Sequence, residues 1–384
     1  MISATQIDLS GDRFKVTYAL TGNRQEVDRR AGHICVEQTI EFPQELVGDD
    51  DIRNHIIGQI ESVEPAGENC WDITISYAIE SSAFNLPQLL NVMFGNISLE
   101  PGICLKRFDL PSSLSSQFKG PRFGITGLRE LCGEPDMPLL CSALKPMGRS
   151  AEQLAEYAYK FALGGIHFIK DDHGICNQPF SPFKERVQRC VEAVDKANAE
   201  TGLHCQYIPT LNAPAHELFD DALWAKEQGV GGLMLLPGIS GFDTMRAIAD
   251  DERIALPILG HPALLGSYVT APTSGIAPAA LFGQIMRLAG ADVTIYPNYG
   301  GRFSFSKDVC MSIAQAAREQ MGAQKPIFPS PGGGMNFSNV PEMIESYGRD
   351  IMFLIGGALH KSSPDLVGNC QTLRSLVSQK MKAI

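Results

Sequence analysis

From residue 139 onward the chain repeats one rhythm, a short apolar run followed by a longer stretch with apolar residues at helical spacing. The apolar runs are Leu139–Lys145, His167–Lys170, Cys205–Pro209, Gly232–Leu236, Pro257–Gly260, Val293–Tyr296, Pro326–Pro329 and Ile351–Ile355. Short runs without alternation read as strands buried on both faces. Helical patterns lie between them, at Glu152–Leu163, Pro182–Glu200, Ala215–Gln228, Pro278–Leu288 and Lys307–Gln320. Eight such alternations predict an α/β fold, a (β/α)8 barrel. An open doubly wound sheet shares the alternation but leaves unexplained why polar residues recur at so many strand ends.

The first part of the chain follows a different pattern. Arg13–Thr21 and Trp71–Ile79 alternate like half-buried strands, and Asp50–Glu61 reads as a helix. Residues 1–120 are therefore expected to form a smaller α+β domain, and residues 121–384 the barrel. Leu110–Pro138, rich in Ser, Gly and Pro, suits a connection between them.

The polar strand ends are Lys145, Lys170-Asp171-Asp172-His173, Asn212, His261, Asn298, Gly332-Gly333-Gly334 and Gly356-Gly357. In a barrel all of these converge on one mouth. The sharpest is Gly164–His173, where an apolar run ends in a lysine, two carboxylates and an imidazole. Lys145 suits a base for proton abstraction if burial and nearby positive charge lower its pKa. The two glycine runs let backbone N–H groups approach an anion closely, which favours a phosphate there over a plain tight turn. There is no P-loop and no G-x-G-x-x-G, so a nucleotide ligand is not indicated. Glu37, an acid among apolar neighbours, and Asn96, after Gly95, are candidates whose alternative is an ordinary polar element end.

A net charge of −11 argues against a nucleic-acid or anionic-membrane partner, so an anionic substrate needs a local positive site. Ten scattered cysteines without C-x-x-C read as reduced thiols. The polar N-terminus and the lack of any long apolar stretch point to a cytoplasmic protein.

The stretch Gly164–His173 resembles the active-site strand of ribulose-bisphosphate carboxylase (RuBisCO) and its relatives, Gly-Gly-x-Asp-x-x-Lys-Asp-Asp-Glu. The resemblance implies a ferredoxin-like N-terminal domain before the barrel. It also implies Mg2+ held by a carbamylated Lys170, Asp172 and the next residue, where His173 replaces the family's Glu; His167 replaces the earlier Asp. Ser142-Ala143-Leu144-Lys145-Pro146 resembles the first barrel strand, with Lys145 moving the substrate's proton and Met147 in place of a second Lys. His261 matches the strand-five His, followed by Pro262 instead of a phosphate-binding Arg. Gly333, Gly334, Gly356 and Gly357 match the phosphate loops. Arg302 is the nearest equivalent of the lysine on the loop after strand six, and Ile295 replaces a His. Glu37 and Asn96 resemble residues that reach the neighbouring subunit's site, implying an antiparallel homodimer.

These departures imply a RuBisCO-like protein that does not fix carbon dioxide. The expected reaction is enolisation or isomerisation of a phosphorylated keto-sugar derivative such as 5-methylthioribulose 1-phosphate. The alternatives are decarboxylation of a 3-oxo sugar-acid phosphate (3-oxo-isoapionate-4-phosphate-like) and a non-catalytic metabolite-binding barrel.

Overall fold

The computed structural model describes residues 8–301, 303 and 305–383. Two compact units emerge: the chain up to Lys119 with Leu264–Leu288 and Gln320–Gln324, and the remainder.

In the first unit, Arg13–Thr21 buries Phe14, Val16, Tyr18 and Leu20 on one face, as its alternation requires. It pairs antiparallel with Cys70–Ala78 along its whole length and, on its other side, with Ile103–Asp109. Gln59–Gly67 forms one edge of this five-stranded sheet, and Gly275–Ile276 forms the other. Helix Arg24–Glu37 starts at a capping box of Asn23 and Glu26 and buries Val27, Ala31, Ile34 and Cys35. The helix expected over Asp50–Glu61 shrinks to one π-type turn, Ile52–Ile56, and Gln59 onward is strand. That edge strand is largely exposed, so it carries no apolar alternation by which to find it.

The second unit is the barrel. Its sheet holds nine parallel segments, but the two outermost, Gln206–Ile208 and Thr210–Leu211, are halves of one strand split at Pro209. The first half pairs with Phe168–Asp171 and the second with Leu233–Leu235, so the sheet closes on itself with eight strands. The other strands are Leu139–Leu144, Ile258–Gly260, Val293–Pro297, Phe328–Gly332 and Met352–Leu354. The seventh begins two residues later than expected and runs through Pro329 and Pro331. The Phe328 N–H bonds to Asp292 O on the strand-six side. By strand parity the proline nitrogens therefore face strand eight, where pairing is confined to Gly332 and Leu354.

Leu110–Pro138 is more than a connection. Its helix Gly124–Cys132 sends Ile125, Leu128 and Cys132 into the same apolar cluster as Leu139, Phe168, Ile208, Met234, Leu259, Val293, Phe328 and Met352. This closes the barrel at the end where the strands begin, opposite the mouth. Fully buried Asp292 anchors that helix: Oδ1 accepts from the N–H groups of Phe123 and Gly124 (2.7 Å each), and Oδ2 from that of Ile258 (3.0 Å). Burial outweighs these three donors and raises the Asp292 carboxyl pKa to about 6. Between its ordinary value and that pH the folded chain holds a proton that the unfolded chain has released. The carboxyl's contribution to stability therefore falls as pH rises through this window and is flat above it. Against Asp292→Asn as reference, wild type should lose on the order of 2–3 kcal/mol between pH 4 and pH 6.5, read from urea unfolding midpoints.

Candidate active site

Strand parity sorts the polar tip of the second strand. Phe168 and Lys170 point inward, whereas Ile169 and Asp171 point out towards the helices. Lys170 is buried, its Nζ donates to the carbonyl of Asp171 (3.1 Å), and burial pushes its pKa down. Asp171 takes no part in the mouth. It accepts from Arg186 Nε (3.1 Å), Tyr207 Oη (2.9 Å) and the Thr210 N–H (3.2 Å), all without solvent contact.

Asp172 begins the loop and turns back into the mouth. Its Oδ1 stands 3.0 Å from Lys145 Nζ, at the end of the first strand, and 3.5 Å from His173 Nδ1. Burial works to raise the Asp172 pKa, yet His173, Lys145 and Lys170 together hold it well below the usual carboxylate range. The half-exposed ring of His173 lies flat on His261, centroids 4.7 Å apart and planes 13° from parallel. His261 Nδ1 accepts from the Ala263 N–H (3.2 Å), which leaves its proton on Nε2. Burial, then Lys170 and His173, lower its pKa far enough to keep it neutral. Five predicted residues, from strands one, two and five and the loop after strand two, thus form one cluster. His167 lies elsewhere, at the start of strand two, accepting from the Leu140 N–H (2.9 Å) with its Nε2 3.6 Å from Glu134.

The glycine loops border the same mouth. A Cβ at Gly333, Gly356 or Gly357 would meet nothing within 4 Å, so a ligand can approach these backbones. Gly356-Gly357 opens a short helix, Gly357–Ser362. Gly334 (φ +74°) serves a different end: a Cβ there would lie 2.7 Å from Gly301 Cα, on the loop after strand six. Gly334→Ala should push that loop off its neighbour and weaken inorganic-phosphate binding about tenfold or more, measured by calorimetry. Arg302, expected on that loop, lies outside the described residues.

Asn298, also expected at the mouth, is buried. Its side chain donates to Met335 Sδ (3.1 Å) and accepts from Tyr347 Oη (3.3 Å), tying loop six to loop seven and to helix Val340–Tyr347. No sequence pattern announces thioether partners for an asparagine. In the other unit, Asn96 Nδ2 donates to Glu37 Oε1 (2.9 Å), so these two candidates are neighbours on an exposed face. Gln38, which the sequence did not single out, holds them: it donates to the carbonyls of Asn91 and Val92 and accepts from the Ile97 N–H.

Residues 124–375 match the family described as ribulose bisphosphate carboxylase large chain, catalytic domain. The chain belongs to that family. It is a RuBisCO-like protein, 38% identical over 91% of its length to the 5-methylthioribulose-1-phosphate isomerase of Rhodospirillum rubrum, 91% of which is covered. It is also 38% identical to RuBisCO-like protein 1 of Rhodopseudomonas palustris, over 92% of this chain and 94% of that one. The crystal structure of a RuBisCO-like protein from R. palustris superposes with a TM-score of 0.87 at 34% identity, covering 96% of this chain and 98% of that one. In this RuBisCO-like protein, Lys145, Lys170, Asp172, His173 and His261 therefore cluster on a fold shared with relatives that handle sugar phosphates.

Proposed function

We propose that this chain transfers a proton beside the carbonyl of a phosphorylated keto-sugar, isomerising a substrate like 5-methylthioribulose 1-phosphate through an enolate. The observation that carries this reading is the pairing of Lys145 with Asp172 at 3.0 Å, beside the stacked histidines at the mouth. In this reading Lys145 takes the proton from the carbon next to the carbonyl, with the Asp172 carboxylate beside its Nζ at 3.0 Å. The C–H electron pair moves to the carbonyl oxygen as an enolate, stabilised by the nearby positive charge. The hydroxyl proton of the deprotonated carbon then passes to the enolate oxygen, and the abstracted proton returns to the former carbonyl carbon. The hydroxyl-bearing carbon thus becomes the new carbonyl, and nothing is gained or lost. The N–H groups at Gly333, Gly334, Gly356 and Gly357 offer donors for the phosphate, and Arg302 a further cation.

Among the described residues no three His, Cys, Asp or Glu side chains are grouped to hold a metal, and in this reading a carbamate supplies the further ligand. Lys170 fits that role, because burial favours the neutral amine that adds to carbon dioxide with release of one proton. Carbamylated Lys170, Asp172 and His173 would then hold a divalent ion, which would supply a Lewis acid for the enolate oxygen. A second copy of the chain is the partner we propose for the mouth. The exposed large apolar side chains described in the barrel unit (Met147, Phe180, Ile239 and Phe303) all lie in segments that follow strands at the mouth, Ile239 in the short helix Pro237–Ser240. In the other unit Phe42, Leu46 and Leu99 are exposed, close in sequence to Glu37 and Asn96. A homodimer that lays the Glu37–Asn96 face over its partner's mouth covers both sets.

The test follows exchange of the α-protons of 5-methylthioribulose 1-phosphate with deuterated water by NMR, with and without divalent metal and bicarbonate. Exchange accompanied by isomer formation supports the proposal. A sample that binds inorganic phosphate yet exchanges no proton overturns it.

A further inference from the structure

We infer that His173 makes this mouth a site for borderline transition ions, such as Co2+ or Zn2+, rather than for Mg2+. The inference rests on the carbamate reading of Lys170 given above, and it concerns the ion that the finished ligand set selects. That set is one carbamate, one carboxylate and one imidazole. Mg2+ demands near-ideal octahedral oxygen ligands, whereas imidazole suits zinc and its neighbours in the first transition row.

The geometry supports His173 as a ligand and not as a bystander. Its Nδ1 lies 3.5 Å from Asp172 Oδ1, close to the separation of about 3 Å between two ligand atoms on one ion. The ring lies stacked on His261, whose Nδ1 in turn accepts from the Ala263 N–H. Orientation of a metal-binding imidazole by a neighbouring group is what such ligands ordinarily have. Lys145 Nζ stands 3.0 Å from the same Asp172 oxygen, a position from which an incoming ion would displace it towards the substrate.

The experiment uses the full chain, freed of metal by chelator, without substrate. Co2+ is titrated in bicarbonate and followed by its visible absorption, with Mg2+ as competitor. The wild type should hold Co2+ against Mg2+, with a spectrum that changes in His173→Glu. In that variant Mg2+ should displace Co2+ at a concentration on the order of tenfold lower than in wild type. Lys170→Arg should bind neither ion. Equal competition by Mg2+ in wild type and His173→Glu, or Co2+ binding that survives Lys170→Arg, overturns the inference. Because binding is read without turnover, a protein that selects Co2+ but moves no sugar-phosphate proton sinks the proposed function alone. His173 is half exposed on a loop, so its replacement leaves the core intact.

Discussion

Replacing Lys145 with alanine should lower α-proton exchange and isomer formation by about 10²–10⁴-fold while phosphate binding persists. The argument turns on what the lysine touches. Its Nζ contacts the carboxylate of Asp172, itself flanked by a histidine stacked on a second histidine. The glycine loops that would hold the phosphate belong to strands seven and eight and make no use of this side chain. Lys145→Arg keeps the charge and the ion pair, but a guanidinium does not deprotonate at working pH, so it should be as inactive as alanine. If arginine instead retains most of the exchange, Lys145 acts only as a fixed charge and another group is the base. The same variant separates the runner-up reaction. A 3-oxo acid loses carbon dioxide without prior proton removal, so Lys145→Ala should spare carbon dioxide release from such a substrate.

The barrel was legible because its strands are short apolar runs, buried by the barrel interior on one face and by helices on the other, which leaves no polar face to confuse the reading. The tip of strand two was legible for the opposite reason: four titratable residues directly after a buried run have few structural uses. Parity within that tip was the part misjudged. Lys170 and Asp171 are adjacent, so one faces the mouth and the other the helices, and only Asp172, in the turn, comes back to the site. The edge strand Gln59–Gly67 escaped notice because its exposed residues have no burial to record. Helix Gly124–Cys132 was hidden in a segment whose Gly, Ser and Pro content outweighed the three apolar positions that plug the barrel. Asn298 fell among strand-end residues by position alone, yet its partners are Met335 on loop seven and Met343 and Tyr347 on the helix that follows. Pairings of that kind arise from tertiary packing, which a linear pattern does not encode.

Asp171→Ala should cost about 3–5 kcal/mol of folding stability, the largest structural effect of any residue near the mouth. Its carboxylate and the Arg186 guanidinium, 3.1 Å apart, are both fully enclosed. Arg186 has one further strong bond, from Nη1 to the Ser181 carbonyl (2.8 Å), while its Nη2 already lacks a partner. Deleting the carboxylate thus leaves a buried charge with almost nothing to offset it, and also strands the hydroxyl of Tyr207. Asp171→Asn keeps an acceptor but no charge, so its loss should be smaller yet still well above 1 kcal/mol. The pair Asp171→Asn with Arg186→Met removes both charges and should recover part of the loss, as a non-additive cycle in urea unfolding. Recovery of stability need not restore activity. Asp171 sits between Lys170 and Asp172, and its bonds to Tyr207 and the Thr210 N–H fix the turn that sends Asp172 into the mouth. A double variant that is stable but exchanges protons slowly would show that this buried pair positions the site. One that regains both would show that the turn holds its shape without it.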